Sequence, residues 1–287
     1  MAASSKRAFS IIEILVVIAI IGALAAVLLP ILGRAKAKAY RVRCVSQLGQ
    51  IGQAFIGYAQ DHNERLPWQL TSGESREAFG ENKDDFVMDH AAMFSLPSIR
   101  HDLATAAILL SPCDPGRAPA NEEAQEQWSK IDPLQGRMLP ADAISYVLID
   151  GADIARSGTV LATTRNLSTC NLGTARWSGA DEPDPGPQTM NGLQSNQGQI
   201  VLADGSARLS NNADLGETGL LTRDHAQSAG GTYKGPAPTV VLGCGSKPDP
   251  PGSSPLEPGE LFQVIQSGKG SRYVFVIDCS GSMNRDD

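Results

Sequence analysis

The stretch that decides the fold is residues 9–32, FSIIEILVVIAIIGALAAVLLPIL, which is apolar throughout except for Ser10 and Glu13. As a helix these 24 residues would be roughly 36 Å long, enough to cross a bilayer core of about 30 Å. The alternative is a secretory signal peptide, whose apolar region usually runs about 7–15 residues before a small-residue cleavage site. Because the run here is longer and continues into a helical pattern, we expect it to remain on the protein as a membrane-spanning segment.

The helical pattern continues well beyond the apolar stretch. An apolar stripe at helical spacing consists of Leu48, Ile51, Phe55 and Tyr58, with Gln47, Gln50 and Gln53 between its members. This pattern predicts one helix over residues 9–62, whose first half contacts lipid or sister helices and whose second half packs on a soluble domain. Pro30 removes a backbone hydrogen bond, so a kink or local loosening is expected between Gly22 and Pro30.

Glu13 is the one acidic residue of the apolar stretch. A charged side chain at the centre of a spanning helix costs about 2.5–3.5 kcal/mol on insertion scales, so it normally has a partner or a function. A cut after Ala8 would leave a positively charged amino group on Phe9, four residues before Glu13. A neighbouring subunit shifted along the helix could place that amino group against Glu13. The alternative is an acid that lies near the lipid headgroups and is tolerated there.

The run from Ala8 to Pro30 resembles the prepilin cleavage and methylation motif of type IV pilins and type II secretion pseudopilins. The resemblance implies that a prepilin peptidase cuts between Ala8 and Phe9 and methylates the new amino group of Phe9. Three further residues fall at positions that this family uses in assembly: Glu13, Gly22 and Pro30. The family nearly always has Gly before the cut, so cleavage after Ala8 is expected to be slow.

Five basic residues follow the apolar stretch: Arg34, Lys36, Lys38, Arg41 and Arg43. By the positive-inside rule they favour the cytoplasm, against only Lys6 and Arg7 in the leader, residues 1–8. The resemblance implies the opposite orientation, because the leader must reach a peptidase at the cytoplasmic face. We therefore expect a single-pass protein of the bacterial inner membrane, with its soluble domain in the periplasm or in an extracellular filament.

Residues 63–221 are expected to form a soluble domain, after a polar stretch closed by Pro67 ends the long helix. Short helices are predicted near residues 101–110 and 121–130, and strands at residues 144–149, 159–163, 199–203 and 206–209. The last two strands flank Asp204-Gly205, which predicts a hairpin with a type I′ turn. A long helix lying on a small antiparallel sheet is an α+β fold.

Five segments of this region resemble successive motifs of large pilin-like families of planctomycete and verrucomicrobial bacteria. They are RCVSQLGQIG (43–52), SPCDPGR (111–117), ISYVLIDG (144–151), TTRN (163–166) and SNQGQIVLADGSARL (195–209). Many of those proteins carry a His, nine residues and then Asp-Gly near the end of the domain. Here the Asp-Gly is Asp204-Gly205, but Gln194 stands at the position of the His.

The C-terminal part changes in composition. Residues 222–270 are rich in Gly, Pro and Ser, which predicts a flexible linker without its own core and a disordered tail. Residues 271–287 resemble the first strand and metal-site loop of a von Willebrand factor A domain, whose Mg²⁺ ligands would be Asp278, Ser280 and Ser282. A complete domain needs roughly another 150 residues, so we expect a truncated fusion with vestigial ligands and no appreciable metal binding.

Composition and spacing weigh against several other functions. The net charge of −7 argues against a nucleic-acid partner. The five cysteines lack C-x-x-C spacing, which disfavours zinc and thioredoxin-type chemistry. In an exported domain Cys113 and Cys170 could pair, and buried or free thiols are the alternative. Asp181, Glu182 and Asp184 could suggest calcium, but a Pro-rich acidic loop is more often solvated surface.

Two functions remain open. The first is a pilin-like or pseudopilin filament subunit, with the prepilin peptidase, sister subunits, the assembly machinery and the membrane as partners. The second is a membrane-tethered ligand-binding module that uses a pilin-type anchor and a von Willebrand factor A-like, metal-dependent adhesion tail. Because no catalytic Ser/His/Asp set, paired carboxylates or phosphate-binding Gly loop stands out, we expect neither an enzyme nor a cofactor.

Overall fold

The computed structural model describes residues 11–79, 89–183, 188–228, 231 and 235–244, all of which belong to one compact unit, Met1–Lys247. The leader, which ends at Ala8, and the following Phe9 lie outside the described residues. So does the C-terminal stretch that contains the rest of the expected linker and the metal-ligand candidates Asp278, Ser280 and Ser282. The predictions made for those segments stay predictions.

The first element, α1, is a single helix from Ile11 to Asp61, 51 residues long, and it continues without interruption through Pro30. From Ile11 to Ala39 its side chains are exposed apart from the half-buried Ala25. The second half buries one face, formed by Cys44, Gln47, Leu48, Ile51, Gly52, Ala54, Phe55, Tyr58 and Ala59. The predicted stripe is therefore confirmed, whereas Gln47, placed among the polar residues beside it, is buried.

The helix ends through left-handed residues before it reaches Pro67. Asn63 and Glu64 have φ values of 55° and 61°, and the Glu64 amide donates to the Ala59 carbonyl at 2.8 Å. A left-handed residue just past the last turn is a common helix stop, because it turns the chain away while satisfying a terminal carbonyl. Pro67 then opens a short 3₁₀ turn, Pro67–Gln69.

Five shorter helices lie in the described part of the soluble domain: α2 (Ser72–Phe79), α3 (His90–Phe94), α4 (Pro97–Leu103), α5 (Ala118–Glu126) and α6 (Leu220–Gln227). The helix predicted near residues 101–110 is divided, because Ala104 has a φ of 61° and ends α4. The chain then forms a 3₁₀ turn at Ala106–Leu109. The helix predicted near 121–130 corresponds to α5 and the 3₁₀ turn Trp128–Lys130.

The sheet is antiparallel and has the order β4-β3-β2-β1-β5. Its strands are β1 (Tyr146–Ile149), β2 (Val160–Thr164), β3 (Gly198–Leu202), β4 (Ala207–Ser210) and β5 (Val241–Leu242). The four predicted strands are confirmed with small shifts at their ends. A long helix on this small antiparallel sheet confirms the α+β fold.

The prediction that the linker begins at residue 222 is wrong. Helix α6 runs across that boundary, and β5 pairs with β1 through Leu242 and Leu148 and through Val241 and Ile149. The folded domain therefore includes residues up to Cys244. A two-residue strand among Gly and Pro has no hydrophobic period, and it pairs here because β1 would otherwise leave an open edge.

The β3–β4 turn also differs from the prediction. The Gly205 amide donates to the Leu202 carbonyl at 2.9 Å, and the Leu202 amide donates to the Ser206 carbonyl at 3.0 Å. Gly205 has a φ of 82°, while Asp204 keeps a negative φ. The loop is thus a type I turn followed by a left-handed glycine, because a type I′ turn would need positive φ at both central residues. The Asp204 carboxylate accepts the Ser206 amide at 2.8 Å.

Both faces of the sheet are covered. On β1, Tyr146 and Leu148 pack with α1, α3 and α4, whereas Val147 and Ile149 pack with Trp177 and α6 on the other face. The register of β2 against β3 shifts between Val160 and Ala162. This bulge explains why Leu161 and Ala162, although adjacent in sequence, both face α1.

Glycines bring α1 close to the β3–β4 hairpin. A Cβ on Gly52 would lie 2.7 Å from Val201 Cγ2, whereas a Cβ on Gly49 would meet only the Ala207 Cβ at 3.8 Å. Val201 is buried in the same cluster as Leu48 and Ile51. The contact at Gly52 therefore sets how closely the helix approaches the sheet.

We expect Gly52→Ala to lower the free energy of unfolding by about 1–3 kcal/mol, because overpacking exceeds the gain in helix propensity. Gly49→Ala is the matched control, and it should be neutral or stabilise by up to about 1 kcal/mol. Chemical unfolding of the full chain in detergent, followed by tryptophan fluorescence, measures both. Equal effects of the two substitutions would show that the close approach at Val201 does not constrain the packing.

Candidate functional site

The largest uncovered apolar surface of the described chain is the first half of α1. From Ile11 to Leu32 its large apolar side chains are between 50 and 84% exposed. Within the described ranges, α1 is the one helix long and apolar enough to cross a membrane. Soluble monomers rarely expose a contiguous apolar surface of this size, so we expect lipid or other helices to cover it.

Three residues with an expected assembly role lie on this surface. Glu13 is in the first turn of α1, and a Cβ on Gly22 would meet nothing within 4 Å beyond its own stretch of helix, among the described residues. Pro30 is part of the continuous helix. Nine residues separate Glu13 from Gly22, so at 3.6 residues per turn the two point to opposite sides of the helix, about 180° apart. They do not form one compact site.

A buried polar junction joins the second half of α1 to the soluble domain. The Gln47 side chain donates to the carbonyls of Ala107 at 3.2 Å and Leu110 at 3.0 Å. Its carbonyl oxygen accepts the Tyr146 hydroxyl at 2.9 Å. Burial raises the pKa of Tyr146 well above its usual value, so the hydroxyl stays protonated as a donor. Each polar atom of the Gln47 amide is thus engaged, which explains why a glutamine is tolerated in the core.

Two free cysteines adjoin this junction. The Sγ atoms of Cys44 and Cys113 are 3.7 Å apart, and both residues are buried. The Ser111 hydroxyl lies 2.8 Å from Cys44 Sγ and accepts the Cys113 amide at 3.0 Å. The hydrogen bond between the two thiols lowers the pKa of Cys44 to about 7, although burial opposes this shift. The same contact with Cys44 raises the pKa of Cys113.

A buried ion pair completes the junction. Arg165 Nε lies 2.7 Å from Asp114 Oδ2, and its Nη2 donates to Asp114 Oδ1 at 2.9 Å and to the Thr189 carbonyl at 2.9 Å. Both side chains are largely buried. Four of the five segments that resemble pilin-like motifs meet at this junction, namely 43–52, 111–117, 144–151 and 163–166. The fifth, residues 195–209, contains β3 and all of β4 except Ser210, and both strands pack on α1.

The disulfide in the structure joins Cys170 to Cys244, whose Cα atoms are 5.3 Å apart. The suggested pairing of Cys113 with Cys170 is therefore wrong, and the alternative of a free, buried thiol describes Cys113. The reason is the missed strand β5, since the Val241 amide donates to the Cys170 carbonyl at 3.0 Å and places Cys244 nearby.

The acidic loop engages protein donors. The Asp181 carboxylate accepts the Ser195 amide at 2.5 Å and the Ser195 hydroxyl at 2.8 Å, and these bonds lower the pKa of Asp181. Glu182 pairs with Arg176 at 2.5 Å, which lowers the pKa of Glu182. Asp184 lies outside the described residues. In the described part of the chain, no group of three or more His, Cys, Asp or Glu side chains could hold a metal ion.

A pocket of about 670 Å³ opens where α1 meets the domain, a few residues beyond the apolar half. Its lining includes the basic residues Arg34, Lys38 and Arg41, which follow one another at helical spacing on α1, and the polar residues Asp181, Gln194 and Gln197. Arg41 Nε is buried and has no hydrogen-bond partner among the described residues. Gln194, which stands at the position of the family's His, lies exposed at this pocket.

Comparison with known proteins identifies no relative of the chain. No family model matches the chain, and neither a curated protein nor a solved structure matches it.

The junction at Gln47 predicts a coupled effect of two substitutions. Gln47→Leu should lower the free energy of unfolding by about 1–3 kcal/mol, because it removes the acceptor of the buried Tyr146 hydroxyl and the side-chain donor to the Leu110 carbonyl. Tyr146→Phe alone should cost less. The double variant should be more stable than the sum of the two losses implies, since the orphaned hydroxyl is gone. Additive losses in a double-mutant cycle, measured by chemical unfolding, would contradict a direct Gln47–Tyr146 bond.

Proposed function

We propose that the protein is a pilin-like or pseudopilin subunit. It is inserted in the inner membrane by α1 and assembled through α1 into a type IV pilus or a type II secretion filament. The observation that carries the proposal is the uncovered apolar half of α1, continuous with a second half that is built into the core of a soluble domain. A helix of this kind connects a lipid-like environment to a folded domain without a flexible joint.

The distribution of apolar residues around α1 supports helix packing on several sides. A helix that is apolar all round is suited to burial on all sides, in lipid or among other helices. Glu13 and Gly22 point to opposite sides, so an assembly role for both requires neighbours on more than one side. A filament core, in which each helix is surrounded by others, meets this requirement better than a dimer does.

The Cys170–Cys244 disulfide supports export of the soluble domain. Disulfides persist in oxidising compartments such as the periplasm and are rare in the cytosol. The basic residues beyond the apolar half, Arg34 among them, can extend their side chains to the headgroups of the outer leaflet. This placement leaves the leader at the cytoplasmic face, where a prepilin peptidase and N-methyltransferase would act on Ala8 and Phe9.

A second candidate function is a membrane-tethered ligand-binding module that uses α1 only as an anchor. The basic pocket beside Arg34, Lys38 and Arg41 favours it, because a concave site with cationic groups suits an anionic ligand. Electron microscopy of sheared surface filaments with a tagged copy separates the two functions. A tag at regular positions along filaments supports the subunit, and a tag spread evenly in the membrane supports the tethered module.

Processing of the N-terminus is the first test of the subunit proposal. We expect the mature chain to begin at Phe9 with a methylated amino group, and Ala8→Gly to speed the cleavage because the family has Gly before the cut. Mass spectrometry of the purified N-terminal peptide measures both. An intact Met1, or a cut after Ala26 of the kind a signal peptidase makes, would contradict the proposal.

Glu13 is the second test. Glu13→Ala and Glu13→Leu should leave the protein inserted in the membrane but prevent filament assembly, because the partner of a neighbouring amino group is lost. Glu13→Leu should insert at least as well as the native chain, since it removes a charge from the apolar segment. Val17→Ala, one turn along the same face, is the matched control and should assemble. Membrane fractionation and counts of sheared filaments measure insertion and assembly. Normal filaments from both Glu13 variants would show that Glu13 has no role in assembly and is only tolerated in the membrane.

A further inference from the structure

The paired cysteines at the junction have no part in the function proposed above. Cys44 belongs to α1, and Cys113 belongs to the loop that follows the 3₁₀ turn at Ala106–Leu109. Their Sγ atoms are 3.7 Å apart, and the exposed fractions of the two residues are 0% and 1%. The two cysteines are 69 residues apart in sequence. Oxidation of their thiols would link the helix covalently to the domain.

We propose that Cys44 and Cys113 form a second disulfide, which fixes α1 covalently to the soluble domain. A disulfide bond is about 2.05 Å long, so the sulfurs must approach by about 1.7 Å. Rotation of one side chain about its Cα–Cβ bond supplies a movement of this size. The Ser111 hydroxyl then gives up its contact with Cys44 and keeps its bond to the Cys113 amide.

The backbones on both sides are held in place for this bond. The Gly192 amide donates to the Cys113 carbonyl at 2.8 Å, and a Cβ on Gly192 would lie 2.7 Å from Cys113 Cα. Asp114, the next residue, is tied to Arg165 by the buried ion pair. Cys44 sits in the middle of a continuous helix. The two sulfurs therefore stay neighbours in the folded domain, rather than meeting by chance.

The oxidant is the disulfide of a thiol–disulfide oxidoreductase, or of a small disulfide such as oxidised glutathione. The Cys44 thiolate attacks one sulfur of that disulfide, breaks its S–S bond, releases the other sulfur as a thiolate and forms a mixed disulfide. The Cys113 thiolate then attacks Cys44 Sγ and releases the second sulfur of the oxidant as a thiolate. One electron pair passes from the two cysteines to the oxidant, and the two protons of Cys44 and Cys113 end on its thiols.

Because both cysteines are buried in the finished fold, the exchange takes place before the loop carrying Cys113 closes over α1. The link does not require the filament proposal. It requires only that the domain fold where a disulfide oxidant is present, as the Cys170–Cys244 bond already implies. In a filament, the link would transmit a pull on α1 directly to the domain.

The first experiment maps the cysteines of the full chain in detergent. The protein is unfolded, refolded with oxidised glutathione, unfolded again without reductant, alkylated and digested, and the peptides are identified by mass spectrometry. We expect one linked peptide pair that contains Cys44 and Cys113, and a second that contains Cys170 and Cys244. Alkylated Cys44 or Cys113 in the major product would overturn the proposal, whatever the state of the other pair.

The second experiment distinguishes a cross-link from mere packing of two thiols. Cys44→Ser and Cys113→Ser should each lower Tm by roughly 5–15 °C, and the double variant should fall no further than either single variant. Reductant should lower the Tm of the native chain more than that of Cys44→Ser. Additive losses, with an equal effect of reductant on both proteins, would overturn the proposal. If the serine variants do not fold, Cys44→Ala and Cys113→Ala provide the same comparison.

Discussion

The rest of the structure depends on the continuity of α1. One helix of 51 residues passes from an exposed apolar half to a half that forms part of the core, with Phe55 among its buried side chains. The two halves need different surroundings, because no other described segment covers the first, whereas α4, β3 and β4 cover the second. Because α1 is continuous, no hinge divides its two halves, and the soluble domain packs directly on its second half.

Packing alone would leave the domain free to slide along the helix, and the polar junction opposes this. Gln47 bonds to Ala107, Leu110 and Tyr146, and these bonds exist in only one register of α1. A buried polar group without its partners costs about 1–3 kcal/mol, so each alternative register is disfavoured. The close contact of Gly52 with Val201 acts in the same direction, since its neighbours Ile51 and Gln53 would bring a Cβ into that space.

The features that could be predicted are those with a local signature. The apolar stripe of α1 and strands β1 to β4 follow from periodicity and from the Asp204-Gly205 turn, although the turn type depended on a φ value that the dipeptide does not specify. Strand β5 and the Cys170–Cys244 bond could not be predicted, because two residues have no period and their partner strand lies about 90 residues earlier. The burial of Gln47 depends on acceptors 60 and 63 residues away, which no window along the chain contains.

The same physics indicates what must drive assembly if α1 leaves lipid for a helix bundle. Lipid tails are as apolar as leucine, so moving the segment from Ile11 to Leu32 between the two environments gains almost no hydrophobic free energy. The preference for a bundle must then come from close packing and from polar pairing. Gly22 allows the first, because its surface has no side chain, and Glu13 allows the second. A charge that is costly in lipid becomes favourable once an amino group of a neighbouring subunit meets it, so its insertion cost selects for the assembled state.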